Sequence, residues 1–237
     1  LAVSIVWSSM VSSDTAMGAR LEGLLEQAWM RGWAKRPVLV ADQIAGDAIG
    51  GPWRKRLDIL CRALNEEADL NAVGLTAAYG QLRKLVRARK RLQLIADVSD
   101  EIRVPPLLIV GQMRSGTTRI HRLLACDRRF AVNRLFEQLD PVPYRWPVDP
   151  RPMAAAVTSR LSNLFNPRLH AIHPTSPYAA EEDFGLHAFS FWGAQFEGQW
   201  RVPSFARHVE EADPGDAYRE FAQLLRVNAR HRGLDKD

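Results

Sequence analysis

The residues best suited to chemistry lie together in the run Gly111-Gln112-Met113-Arg114-Ser115-Gly116-Thr117-Thr118. Two glycines separated by four residues and followed by a hydroxyl residue give the spacing of a phosphate-binding loop. The glycines let the backbone turn tightly and bring its N–H groups against phosphate oxygens, at the positive end of a following helix. A loop for ATP or GTP needs a lysine after the second glycine to reach the β and γ phosphates, and Thr117 stands there instead. The cation is Arg114, inside the loop. That placement suits a nucleotide with a single 5′ phosphate bridged to a transferable anion, where Arg114 would neutralise charge on the leaving oxygen. Read as structure alone, the same residues make a helix N-cap after a strand. Capping requires neither paired glycines nor an arginine inside the turn.

With its preceding apolar run and His121-Arg122-Leu123-Leu124 behind it, the segment from Pro106 to Thr118 resembles the 5′-phosphosulfate loop of sulfotransferases, in the bacterial branch related to tyrosylprotein sulfotransferases. Met113 stands where the family has a proline before the loop cation. Weaker resemblance runs from about Asn65 to Asp149 and through His173 to Glu182. The resemblance implies 3′-phosphoadenosine 5′-phosphosulfate (PAPS) as co-substrate, bound by Gly111, Arg114, Ser115, Gly116, Thr117 and Thr118, with no metal. It implies that Arg114 stabilises the transition state and that a glutamate about two dozen residues later, Glu137 in Arg134-Leu135-Phe136-Glu137, is the general base. As a base it accepts the acceptor's proton, typically worth about 10² to 10⁴ in rate. On exposure grounds alone, a carboxylate after a short apolar stretch is more often a solvated loop residue. The expected reaction is sulfuryl transfer to a hydroxyl or amine of a small-molecule or peptide acceptor.

Other polar groups have blander readings. The basic run from Arg83 to Arg91 lacks alternating aromatics and reads as a solvated helix face rather than a nucleic-acid patch. His121, His170 and His173 have no spaced carboxylate or cysteine partner, and surface or packing roles suit them. Glu181, Glu182 and Asp183 follow Ser176-Pro177 and read as a helix start with acids at its positive end, a reading favoured over the substrate contact that their resemblance to an acidic pair of the sulfotransferase family implies. The aromatics Phe189, Phe191, Trp192, Phe196 and Trp200 suit core packing better than an acceptor pocket.

The elements that must hold the loop are legible in part. Pro105-Pro106-Leu107-Leu108-Ile109-Val110 is a short apolar run bounded by prolines and Gly111, the pattern of a strand buried on both faces. Ile120, Leu123 and Leu124 then recur at helical spacing, so the segment reads strand, tight loop, helix. The fold class this implies is α/β, a P-loop-like parallel sheet core with a helical N-terminal region and helical insertions. Residues 1–16 read as a non-native or disordered leader, since the helical pattern starts only after Met17. Residues 17–103 read as helical throughout, a cap or a homo-oligomerisation surface, and residues 104–237 as the N-terminal part of the catalytic domain. No second buried strand follows residue 137, so the sheet is expected to be incomplete and the chain truncated. In the resembled family the 3′ phosphate is held well downstream of the loop, and no such motif occurs before Asp237.

Composition narrows the classes. Of 237 residues, 46% are apolar and 25% charged, as in ordinary globular proteins, and the +5 net charge suits a phosphate- or sulfate-bearing partner without arguing for nucleic acid. Cys61 and Cys126 show neither metal-ligand spacing nor a disulfide framework, and no apolar run is long enough for an anchor, so a cytoplasmic protein away from membranes is expected. Two alternatives remain on the residues alone. One is a nucleotide kinase or NTPase with a degenerate loop, against which Thr117 argues. The other is a non-catalytic fragment serving as an interaction module.

Overall fold

The computed structural model describes residues 16–31, 38–95, 107–112, 115–145, 147–165 and 175–234, without the side chains of 16–18, 21, 25, 29 and 161–165. Pro105, Pro106, Met113, Arg114, His170 and His173 lie outside the described residues.

Helices α1 (Ala16–Met30), α2 (Ala41–Ala45), α3 (Trp53–Glu66) and α4 (Ala72–Gln93) come first. In α3 the apolar residues Leu57, Leu60, Cys61 and Leu64 recur at the spacing that lines one helical face, and all four are buried. α4 starts where the Asn71 side chain accepts the Gly74 N–H at 2.8 Å, satisfying one of the donors that a first turn leaves open. Next come α5 (Thr117–Leu124), α6 (Leu135–Leu139), α7 (Arg151–Phe165), α8 (Phe184–Ala188), α9 (Gln195–Gln199), α10 (Pro203–Glu211) and α11 (Gly215–His231).

The larger core joins the early helices to the later ones: Ile44, Trp53, Leu57, Leu60, Leu64 and Leu82 pack with Phe191, Phe196, Val202 and Phe205. Phe196 stacks between Phe191 and Trp200 and meets Phe205 edge-on, so these aromatics fill the core rather than line a pocket. Charged ties reinforce the same seam. Arg56 donates to the Ser190 carbonyl at 2.7 Å and forks onto Asp216 at 3.1 and 2.7 Å. Arg89 pairs with Glu220, and Arg91 with Asp140. Arg89 and Arg91 of the basic run are thus tethers, whereas Lys84 and Arg87 lie on the solvated face its sequence suggests. A smaller cluster of Ala88, Val142, Leu186, Phe189 and Leu224 lies alongside.

The expected parallel sheet is absent. Among the described residues there is no β-strand, and the one bridge recorded is an isolated antiparallel pair, Arg134 with Ala180. Leu107 to Val110 forms no regular secondary structure, with Leu108 65% and Val110 89% exposed. The run has strand composition, but a strand exists only through a ladder, and no described segment lies beside it to supply the partner. The fold class is therefore corrected to helical, with no sheet beneath the loop among the described residues.

Candidate functional site

The turn from Gly111 into α5 is compact. A Cβ on Gly111 would stand 2.7 Å from the Ser115 Oγ and 2.7 Å from a Thr117 methyl carbon, so a side chain there would force these two to shift. Ser115 N–H donates to the Gln112 carbonyl at 3.1 Å, closing the turn. Gly116 caps the helix at φ 92°, a left-handed conformation that suits glycine. Its carbonyl accepts from Arg119 and Ile120, leaving the Thr117 and Thr118 N–H groups as first-turn donors without an intrahelical acceptor. This fits an anion such as a phosphosulfate. Ser115, Gly116, Thr117 and Thr118 are thus brought together at a helix N-terminus, whereas Arg114, the expected cation, lies outside the described residues.

Glu137 sits in α6 and is 0% exposed. One carboxylate oxygen, Oε2, accepts the Arg134 N–H at 2.8 Å, a cap on its own helix, and lies 3.7 Å from Arg232 Nη1. Burial lowers the Arg232 pKa, and Glu137 opposes that shift. The other oxygen, Oε1, is buried and has no hydrogen-bond partner among the described residues. A buried acceptor left open carries a desolvation cost, and it is the atom that could take a proton. α6 is well anchored. Gln138 Oε1 accepts the N–H groups of Gly185 and Leu186 at 2.9 and 3.1 Å, and a Cβ at Gly185 would meet the Gln138 carbonyl at 2.0 Å. Behind α6, the fully buried Arg151 donates to the Asp140 carbonyl and to Asn228.

The segment from Thr175 to Asp183 links the loop helix to the Glu137 segment. The expected helix start at Ser176-Pro177 is instead a turn followed by the bridge at Ala180. On one side Leu135 N–H donates to Ala179, Phe136 N–H to Pro177, and Glu181 N–H to Asn133. On the other, the Thr118 hydroxyl donates to Glu182, and Arg122 lies 3.6 Å from Glu181. Burial raises the Asp183 carboxyl above its ordinary range; the hydrogen bond from Asn133 and the charge of nearby His121 pull it back. The sequence reading gave these acids a helix-start role and missed the threonine–glutamate bond. The consecutive acids were the available signal, but nothing in their spacing pairs them with residues some sixty positions earlier.

Beside this segment a cavity of about 390 Å³ is lined by Arg122, Ala125, Cys126, Thr175, Ser176, Ala179 and Ala180. No group of three or more His, Cys, Asp or Glu among the described residues could hold a metal ion. No described helix is long and apolar enough to cross a membrane.

The fold is similar to that of a sulfotransferase, STF1 from Mycobacterium tuberculosis H37Rv, with a TM-score of 0.61 and 22% identity over 83% of this chain and 59% of that one. The chain therefore spans under two thirds of the length of the protein it matches. No curated protein sequence matches it. The sulfotransferase family model matches residues 105–227, just over half of the chain and all of the segment from the loop through α10, and the chain belongs to the sulfotransferase family.

Proposed function

We propose that the protein transfers a sulfuryl group from PAPS to a hydroxyl or amine acceptor, as the bacterial branch related to tyrosylprotein sulfotransferases does. The observation that carries this reading is the closed Gly111–Ser115 turn leading into the open first-turn donors of α5, in a chain of this family. In this reading the backbone of Ser115 to Thr118 holds the 5′ phosphosulfate. Arg114 stabilises the leaving phosphate oxygen as the sulfur–oxygen bond breaks. Glu137 Oε1 takes the acceptor's proton as the new bond to sulfur forms, while Oε2 keeps its hold on the Arg134 N–H. Preorganised donors of this kind act where charge develops and need no metal to do so.

Calorimetry on the purified full-length protein tests the nucleotide. The expected result is binding of 3′-phosphoadenosine 5′-phosphate at least about tenfold tighter than ATP with magnesium, about 1.4 kcal/mol. Equal or reversed preference favours a phosphoryl-transfer enzyme, and binding of neither favours an interaction module. Either result sinks the proposal.

A further inference from the structure

We propose that Glu182 is a positioning residue: its carboxylate fixes Thr118 and so aims the first-turn N–H groups of α5 at the bound anion. This rests on the nucleotide-loop reading above.

The need for such a residue follows from how little else holds the helix. No side chain of α5 is buried, and Ile120 and Leu123 face outward, so apolar packing does not set its orientation. Three described polar contacts reach it from consecutive acids. Thr118 donates to Glu182. His121 lies near Asp183, which accepts from Asn133. Arg122 reaches Glu181, whose buried carboxylate also accepts the Thr175 hydroxyl at 2.6 Å. Residues 118, 121 and 122 are one turn apart on a single helix face. Of these acids Glu181 is fixed by its N–H to the Asn133 carbonyl, and just ahead of it Ala179 and Pro177 accept from Leu135 and Phe136, the entry to the Glu137 helix. Glu182 thereby ties the loop to the frame that carries Glu137.

A threonine hydroxyl has one proton to give. Given to Glu182, it is not available to an anion, and what Thr118 offers there is its backbone N–H. Glu182 acts through that group and does not touch the nucleotide.

Three single variants and one double variant separate this role from the other two that a carboxylate could play here. Glu182→Ala should weaken 3′-phosphoadenosine 5′-phosphate binding by about tenfold, the scale of a lost charge-assisted hydrogen bond. Glu182→Gln keeps an oxygen that accepts the hydroxyl and should stay within about twofold. Thr118→Val should match Glu182→Ala, and the double variant should be no worse than either, because both remove one interaction. Tighter binding in Glu182→Ala would mark Glu182 as a competing anion. Unchanged binding in both variants with lost turnover would mark it as a base. Additive losses, or an equal loss in Glu182→Gln, also overturn the proposal. Amide hydrogen exchange over residues 117–121, read without ligand, should quicken in Glu182→Ala and not in Glu182→Gln. Unchanged exchange in Glu182→Ala overturns the positioning role even if the wild-type protein binds no nucleotide, the result that would sink the functional reading instead.

Discussion

Helices α3 and α5 both carry leucines at helical spacing, and the two end in opposite surroundings. In α3, Leu57, Leu60 and Leu64 are buried against α2 and α10. In α5, Leu123 is 64% exposed and no residue is buried. An apolar stripe thus states which face of a helix can be covered, and only a second element decides whether it is. The covered helix belongs to the larger core, and the uncovered one is held by polar tethers at the site of the proposed chemistry.

The contrast predicts where substitutions will hurt. The largest loss is expected at Phe205, fully buried in α10 and edge-on to Phe196 at 5.6 Å between centroids. Phe205→Ala should cost about 3–5 kcal/mol, from lost burial and from the cavity left behind. Urea unfolding should show a lower midpoint with an unchanged slope. A cost below about 1 kcal/mol would mean that this core is loosely packed and that the contrast with α5 is overdrawn.

The same contrast explains what the sequence discloses. The two loop glycines were legible because a tight turn into a helix needs them at particular offsets: Gly111 lies against Ser115 and Thr117, and Gly116 takes a left-handed φ. Helices with strong stripes, such as α3 and α11, were legible because their period is local too. The strand at Leu107–Val110 failed as an expectation because composition sets strand propensity while pairing requires a partner. The helix expected to start at Ser176-Pro177 is replaced further on by two short ones, α8 and α9, with Phe191 at φ 49° and Gly193 at φ 88° turning the chain between them. The cap made by Glu137 and the bond from Thr118 to Glu182 differ in the same way. The first spans three residues and the second sixty-four, and only the first can be suspected from spacing.

A smaller effect is expected at the seam between α8 and α11, where His187 stacks on Phe221 at 4.4 Å and meets Tyr218 edge-on. Burial holds its pKa below the ordinary value of 6.5, and Nδ1 is buried without a hydrogen-bond partner among the described residues. The folded protein therefore binds fewer protons here than the unfolded chain. Its contribution is fully present above about pH 6.5 and is lost as pH falls from there toward the folded pKa. His187→Phe keeps the ring stack and removes the proton. The stability difference between wild type and variant should therefore change between about pH 7 and 5, with the wild type losing ground in acid. Taking the difference cancels the opposite pull of Asp183, whose raised pKa favours the folded state in acid. A difference flat with pH would show that His187 is hydrated in solution.

The smallest effect should come from the exposed stripe itself. Leu123 projects from α5 with 64% of its surface open, so truncating it removes little apolar area from a buried setting. Alanine is also a slightly better helix former than leucine. Leu123→Ala in the unliganded protein should therefore shift stability by no more than about 0.5 kcal/mol in either direction, roughly a tenth of the Phe205 effect. Thermal or urea unfolding at two protein concentrations checks this. A loss above about 1 kcal/mol that deepens with protein concentration would show the stripe covered by a second copy of the chain, because association stabilises by mass action and truncation would remove it. A similar loss independent of concentration would show that the chain covers the stripe itself. In either case α5 would cease to be the uncovered counterpart of α3, and packing would join Glu182 in setting the direction of the loop.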